Sequence, residues 1–268
     1  MKHTGLSRVL WTISLPIMFA EISEIVLRVT NTIFLARVGL TELAAIGIAD
    51  STWEIALVLP LGLVDGIQIL TARLLGRGRP LAVGALFRQG LLLILAVSTL
   101  LAVFLGACGP WISRALVRSD SVSHAIDAFL GVQCWGLPLT AASFAYSALL
   151  VSLGRTRVLV PATLILAGTN GLLDYVLIFG KLGLPALGIR GAALGSVGAE
   201  IVTCAFLTAY LLVRGPVQRF RLFQWGPWSL RRLRRLAGIS ASVSAQGLVE
   251  ALRWLLSPAR VPKQRAIP

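Results

Sequence analysis

Acidic residues are scarce in this chain. It has 11 Asp and Glu among 268 residues, and all charged residues together make up 13% of the sequence. A soluble domain carries about 25% charged residues, so this chain has too little charge to solvate a globule of its length. Together with a hydrophobic content of 56%, the shortage excludes an ordinary cytosolic enzyme and a disordered chain.

Metal ligands and nucleophile motifs are also sparse. The three cysteines, Cys108, Cys134 and Cys204, lie far apart without a CxxC spacing, and the two histidines are isolated. The sequence contains no Gly-rich phosphate loop and no paired histidines. We therefore predict no disulfide framework, no cofactor and no transition-metal centre, and a protein that is not an enzyme.

Long apolar stretches dominate the chain instead. A helix that crosses about 30 Å of hydrocarbon needs about 20 mostly apolar residues. Seven stretches reach that length: 9–36, 43–72, 86–107, 123–153, 158–180, 188–213 and 236–257. This pattern predicts an all-α membrane protein with about seven transmembrane helices.

The basic segment 214–235 divides the chain. The stretch that follows it resembles the first one, because Leu10, Ile13, Ser14 and Glu24 recur as Leu236, Ile239, Ser240 and Glu250. Repeats of this kind are common in secondary transporters. We predict a six-helix N-terminal lobe over 1–213, a basic cytoplasmic inter-lobe loop over 214–235, and the first helix of an incomplete C-terminal lobe with a tail over 236–268. The chain is thus expected to be truncated after the seventh helix.

Basic residues are distributed unevenly between the two ends of the predicted helices. The net charge is +14, and most of it falls at the N-terminus and in the second, fourth and sixth loops. Five basic residues lie at the opposite end: Arg37, Arg114, Arg118, Lys181 and Arg190. The positive-inside rule then places the N-terminus in the cytoplasm of a multi-pass inner (plasma) membrane protein. We interpret the charge as a bilayer feature and predict no nucleic acid partner.

The first predicted helix carries an unusual polar stripe. Glu21, Glu24, Arg28 and Asn31 are spaced three, four and three residues apart, which places them on one helical face. Charged residues in a membrane helix usually face the bundle interior and mark a functional site. One interpretation is therefore a cavity lining; the other is a Glu24–Arg28 pair that only neutralises charge for insertion. Pro16, in the same helix, allows a kink. Glu54 in the second predicted helix is a second candidate partner for Arg28.

The fifth and sixth predicted helices add a buried acid and a hydroxyl. Asn170 and Asp174 are one turn apart, so they can share a proton or supply oxygens to a small cation such as sodium. The alternative is an Asp174 that only hydrogen-bonds a neighbouring serine. In the sixth helix, Gly191, Gly195 and Ala199 form a small-residue face for close helix contact, with Ser196 beside it.

Three segments of the sequence resemble the multidrug and toxic compound extrusion (MATE) family. PIMFAEISEIVLRVTNTIFLARVGLTELAAIGIA (16–49) resembles the first helix and loop of these transporters, and GRGRPLAVGALFRQG (76–90) resembles their basic loop. NGLLDYVLIFGKLGLPALGIRGAALGSVGAE (170–200) is similar to their fifth and sixth helices. The resemblance implies twelve helices in two six-helix lobes, and export of drugs or other organic amphiphiles in exchange for protons or sodium.

The resemblance also implies roles for individual residues. In the DinF-like branch, an Asn and an Asp one turn apart on the fifth helix bind the coupling ion, and Asn170 and Asp174 match that pair. Pro16 matches a proline that bends the first helix, and Ser196 falls near a hydroxyl position of the sixth. Asn31 stands where the family often has Asp. Because of this departure, Glu24, two turns earlier on the same face, is the candidate to substitute for the missing acid.

Two other functions remain open at this stage. One is a lipid-linked sugar flippase of the same wider superfamily, although such a protein needs a strongly cationic cavity. The other is a non-transporting membrane remnant or partner, which the length favours. The expected partners are the bilayer and a small organic substrate, together with a missing C-terminal lobe or a second copy of the chain.

Overall fold

The computed structural model describes the backbone of residues 3–214, 220, 222 and 228–255, with the side chains of this part except 3–13, 16 and 250–255. In this part the chain forms long α-helices: α1 (His3–Val38), α2 (Leu40–Gly76), α3 (Pro80–Leu116), α4 (Asp120–Gln133), α5 (Leu137–Ser152), α6 (Leu159–Phe179), α7 (Ile189–Val213) and α8 (Leu230–Leu255). α4 and α5 follow one another as a single interrupted span, so the eight described helices make seven long units. The predicted all-α fold is confirmed.

Five of these units are long and apolar enough to cross a membrane. They are Leu40–Gly76, Pro80–Leu116, Asp120–Ser152, Thr156–Phe179 and Ile189–Val213. The remaining two units, α1 and α8, have comparable lengths of 36 and 26 residues. The protein is therefore a multi-pass membrane protein.

The helices extend beyond the predicted hydrophobic stretches. α3 has 37 residues, whereas the hydrocarbon core needs about 20, so its ends project past the core. α8 begins at Leu230, and the arginines of 231–235 therefore lie in its first turns rather than in the predicted loop. Arginine is a good helix former, but it lowers hydropathy, which is why the sequence placed this boundary too late.

The fourth predicted span is one helix in the sequence but two in the structure. α4 ends at Gln133, a 3₁₀ turn covers Cys134–Gly136, and α5 begins at Leu137. Pro138 lies in the first turn of α5. A proline has no N–H to donate and its ring clashes with the carbonyl four residues earlier, which favours a break in the α-helical hydrogen bonding at this point.

Three buried clusters pack the described helices together, and the two largest contribute most of the core. One lies at the basic end of the helices and joins α2, α3, α5 and α7, with Phe87 and Leu149 fully buried. The other lies at the opposite end, where Leu35 of α1 meets Ile126 of α4 and Ile178 of α6. The polar residues considered below lie between these clusters.

Small residues bring two pairs of helices into close contact. On α7, a Cβ added at Gly191 would lie 2.7 Å from the backbone carbonyl of Leu177, so the predicted small-residue face packs directly on α6. On α2, a Cβ at Gly66 would overlap the hydroxyl of Ser240 on α8. The first of these contacts positions the site described next.

Candidate functional site

A buried carboxylate and amide lie on the inner face of α6. Asp174 is 0% exposed and Asn170 is 1% exposed. The sequence indicated this pair from its one-turn spacing within an apolar helix. Asp174 Oδ1 is buried and has no hydrogen-bond partner among the described residues, which is costly for a group of this kind.

Asn31 of α1 and Ser196 of α7 complete a four-residue polar cluster. The Asn31 amide atom that faces Asp174 lies 2.6 Å from Oδ2 of Asp174 and 3.1 Å from Oδ1 of Asn170. Asn170 Nδ2 donates to Ser196 Oγ at 3.1 Å. Three separate helices therefore bring together four of the predicted site residues.

The orientation of the two amides is decided by their hydrogen bonds. With its nitrogen turned inward, Asn31 donates to Asp174 Oδ2 (2.6 Å), to Asn170 Oδ1 (3.1 Å) and to the Leu27 carbonyl (3.2 Å). In the other arrangement, Asn170 donates to Asp174 Oδ2 (3.0 Å) and Asn31 Oδ1 (3.1 Å), and its oxygen accepts from Ser196. In each arrangement, the side-chain oxygen of the other asparagine still faces the Asp174 carboxylate.

Gly195 of α7 forms the floor of this cluster. A Cβ at this position would overlap Asp174 Oδ1 and lie 3.2 Å from its Cγ. The Gly195 position therefore admits the carboxylate between α6 and α7 because it has no side chain. The sequence identified Gly195 as a packing residue and missed its contact with the acid.

A second polar group lies between α1 and α2. Arg28 Nη1 donates to Glu54 Oε1 in an ion pair whose side chains are 54% and 55% exposed. Asp50 adds a further electrostatic interaction with Arg28. The close ion pair found for Arg28 among the described residues is therefore with Glu54, while Glu24 interacts with Arg28 electrostatically without such a contact.

The other predicted residues of α1 lie outside the Asp174 cluster. Glu24 interacts electrostatically with Glu21, with Arg28 and with Glu200 of α7, and no hydrogen bond to the cluster is found for it in the described part of the chain. Glu21 is exposed. Pro16 lies within α1, but its side chain falls outside the described residues.

Glu200 belongs to a neighbouring polar site that the sequence predicted only in part. Its carboxyl group faces the hydroxyls of Thr140 and Ser143 on α5. The sequence indicated Glu200 as a buried acid but gave no role to the two hydroxyls. Their spacing of three residues places them on one helical face, and this was the available signal.

These features define a multi-pass membrane protein with ionisable and amide side chains buried between its helices. Residues 16–176 match the MatE family. The match covers more than half of the chain, and the chain belongs to this family of membrane transporters. The family membership expected from the sequence is thereby confirmed.

The curated relatives that match this chain are longer than it is. It is 28% identical over 214 residues to the probable multidrug resistance protein NorM of Synechocystis sp., with 79% of this chain and 46% of the relative covered. It is 30% identical over 216 residues to the NorM of Xanthomonas axonopodis pv. citri, with 79% and 44% covered. The chain spans about half the length of the curated relatives it matches.

Solved structures share the fold. A MOP superfamily transporter from Pyrococcus furiosus aligns with a TM-score of 0.79 and 18% identity, covering 92% of this chain and 54% of the other. A MATE structure in the bent conformation aligns with a TM-score of 0.83 and 19% identity, covering 93% and 55%. The described helices therefore have the architecture of about half a MATE transporter.

Proposed function

We propose that this chain is the ion-coupling lobe of a secondary active antiporter that exports drugs or other organic amphiphiles in exchange for protons or sodium. The observation that carries the proposal is the buried cluster of Asn31, Asn170, Asp174 and Ser196. Family membership supports it, as do relatives whose name is multidrug resistance protein. The Asn170–Asp174 pair is also what supports placement in the DinF-like branch.

The hydrogen bonding of the cluster supports a bound proton or cation. When Asn31 turns its nitrogen toward Asp174, the side-chain oxygen of Asn170 is left 3.0 Å from Asp174 Oδ2. When Asn170 turns its nitrogen toward Asp174 instead, the side-chain oxygen of Asn31 is left 2.6 Å from the same atom. Turning both nitrogens inward instead places two donors 3.1 Å apart. An ionised Asp174 therefore leaves one mismatched pair in every arrangement.

A proton or a sodium ion removes that mismatch. A proton on Asp174 turns the oxygen–oxygen contact into a hydrogen bond, and sodium is attracted by converging carboxylate and amide oxygens, the ligands of hard cations. Asp174 carries the charge in this mechanism, while Asn31 and Asn170 supply the amides. Ser196 positions Asn170 through the hydrogen bond between them.

The Arg28–Glu54 pair is proposed to line the substrate cavity. Both side chains are about half exposed between α1 and α2, so they are available to a passing cationic substrate or to a gate. Glu21 and Glu24 extend the same face of α1, and Pro16 is the proposed bending point. The basic end of the bundle is proposed to face the cytoplasm.

A second lobe is part of the proposal. Alternating access needs two bodies that rock against each other around a site, and this chain corresponds to about half of the relatives it matches. The second lobe is proposed to be a C-terminal lobe or a second copy of this chain. The acidic residues of the cavity speak against the flippase alternative, and a non-transporting remnant is an outcome of the transport test described below.

Infrared difference spectroscopy of the purified chain in nanodiscs tests the ion site. We expect Asp174→Asn to abolish the carboxyl signal that responds to pH or sodium, and Asp65→Asn, at an exposed acid of α2, to preserve it. A signal that changes on adding sodium at fixed pH indicates sodium, and one that follows pH alone indicates a proton. If Asp174→Asn leaves the signal intact while Glu24→Gln removes it, the site belongs to α1 and the proposal is wrong.

A further inference from the structure

An open cavity of about 730 Å³ lies at the basic end of the bundle, between the start of α6 and the end of α7. Its rim carries Arg155, Arg157 and Arg214, and its described lining contains no Asp or Glu. The three arginines have no carboxylate partner among the described residues, where the ion pair found is Arg28–Glu54. An uncompensated cluster of guanidinium groups over a cavity attracts an anion.

The wall of the cavity becomes apolar away from the rim. Phe206, Tyr210 and Arg214 follow one another at intervals of four residues, so α7 presents a ring, a phenol and a guanidinium in order along one face. The rise from Phe206 to Arg214 is about 12 Å at 1.5 Å per residue. Val158 and Pro161 form the apolar wall on the side of α6.

We propose that this cavity binds an anionic phospholipid, with the phosphate among the arginines and the upper acyl chains against Phe206, Val158 and Pro161. The order of cationic, amphipathic and apolar groups matches the order of phosphate, glycerol and acyl chain in a lipid. Guanidinium groups bind phosphate oxygens with two parallel hydrogen bonds, and basic pockets between membrane helices bind anionic headgroups. A soluble anion would use the rim but leave the apolar wall unused.

One of the arginines also holds the rim together. Arg155 Nη1 donates to the Arg214 backbone carbonyl at 3.0 Å, which joins the connection before α6 to the end of α7. Substitution of Arg155 would therefore disturb the cavity itself. Arg157 and Arg214 are exposed, so their side chains are the suitable positions for a test.

The test titrates phosphatidylglycerol into the purified full chain in non-ionic detergent and counts retained lipid by native mass spectrometry, without substrate or ion gradient. We expect Arg157→Gln with Arg214→Gln to weaken phosphatidylglycerol binding about 25-fold, since the loss of each direct guanidinium–phosphate contact costs about fivefold. Arg77→Gln with Arg79→Gln makes the same charge change in another connection at this end, outside the cavity, and we expect binding within about twofold of wild type. Because no transport is measured, the result is independent of the proposed function.

Three results would overturn the proposal: an equal loss in both double variants, no preference of the wild-type chain for phosphatidylglycerol over phosphatidylcholine, or complete displacement of the lipid by millimolar glycerol phosphate. Should the variant fail to fold, a photoactivatable phosphatidylglycerol on the wild-type chain gives a second readout. Its adducts are expected within 155–161 and 206–214. Adducts confined to other segments would equally exclude the site.

Discussion

Gly195 of α7 lies directly against the carboxylate of Asp174 on α6, where an added Cβ would overlap Oδ1. The backbone amide of Asp174 is also close, at 3.2 Å from that added atom. The carboxylate therefore occupies the space that a side chain at position 195 would need, and it has to shift when a bulkier residue is placed there.

Gly195→Ala is expected to destabilise the protein by about 1–3 kcal/mol through overpacking, and to weaken the ion response of Asp174. Gly168→Ala is the matched control on α6, because nothing lies within 4 Å of its added Cβ. We expect that control to be neutral or to stabilise by up to about 1 kcal/mol. Thermal unfolding in detergent measures both, and equal stability of the two variants would contradict the contact.

The Arg28–Glu54 pair is expected to contribute little to stability. Because both side chains are about half exposed, the coupling energy in a double-mutant cycle of Arg28→Gln and Glu54→Gln should be below about 1 kcal/mol. Substrate binding should respond more strongly, since both charges are proposed to line the substrate cavity. Charge exchange by Arg28→Glu with Glu54→Arg should restore binding of a cationic dye better than either single change does. Dye binding that is unchanged in both single variants would exclude a role for the pair.

The basic end of the bundle is expected to face the cytoplasm. A cysteine placed at Arg77, in the connection between α2 and α3, should resist an impermeant maleimide added to intact cells. A cysteine at the exposed Lys181, beyond the end of α6, should react. The reverse pattern of labelling would invert the topology.

The chain alone is expected not to export drugs. In a strain that lacks its own pumps, dye efflux should stay at background because the second wall of the cleft is required for alternating access. The full-length Synechocystis relative is the positive control. Robust ion-dependent efflux by the purified chain would show that two copies of this lobe suffice, whereas background efflux together with an absent ion response at Asp174 would favour the non-transporting alternative.

The sequence predicted those parts of the site that depend on one helix at a time. Asn170 and Asp174 were recognised from their one-turn spacing, because helical periodicity determines which residues share a face. The partner of Arg28 was not predictable, because the choice between Glu24 and Glu54 depends on how α1 is rotated against α2. The approach of Gly195 to Asp174 likewise depends on the register between two helices, which composition does not encode.

The ends and breaks of helices were predicted less well for a different reason. Hydropathy marks the part of a helix that lies in hydrocarbon, so it missed the arginine-rich first turns of α8. It also joined α4 to α5, because the apolar run continues through the 3₁₀ turn at Cys134–Gly136. Pro138 was the available signal, but a proline alone does not break a membrane helix: Pro60 and Pro110 both lie inside continuous helices.

The close contact of α6 with α7 has a mechanical consequence for the cluster. At Gly191 and Gly195 the two helices touch through backbone, so neither can slide past the other without steric overlap, and Asn170, Asp174 and Ser196 are carried by one fixed frame. Asn31 reaches that frame from α1, a peripheral helix with exposed side chains such as Ile25 and Val29. If Asp174 changes its charge as proposed, we expect α1 to move rather than α6 and α7 to change their spacing. The position of the Asn31 amide on α1 would then report whether the proposed site is filled.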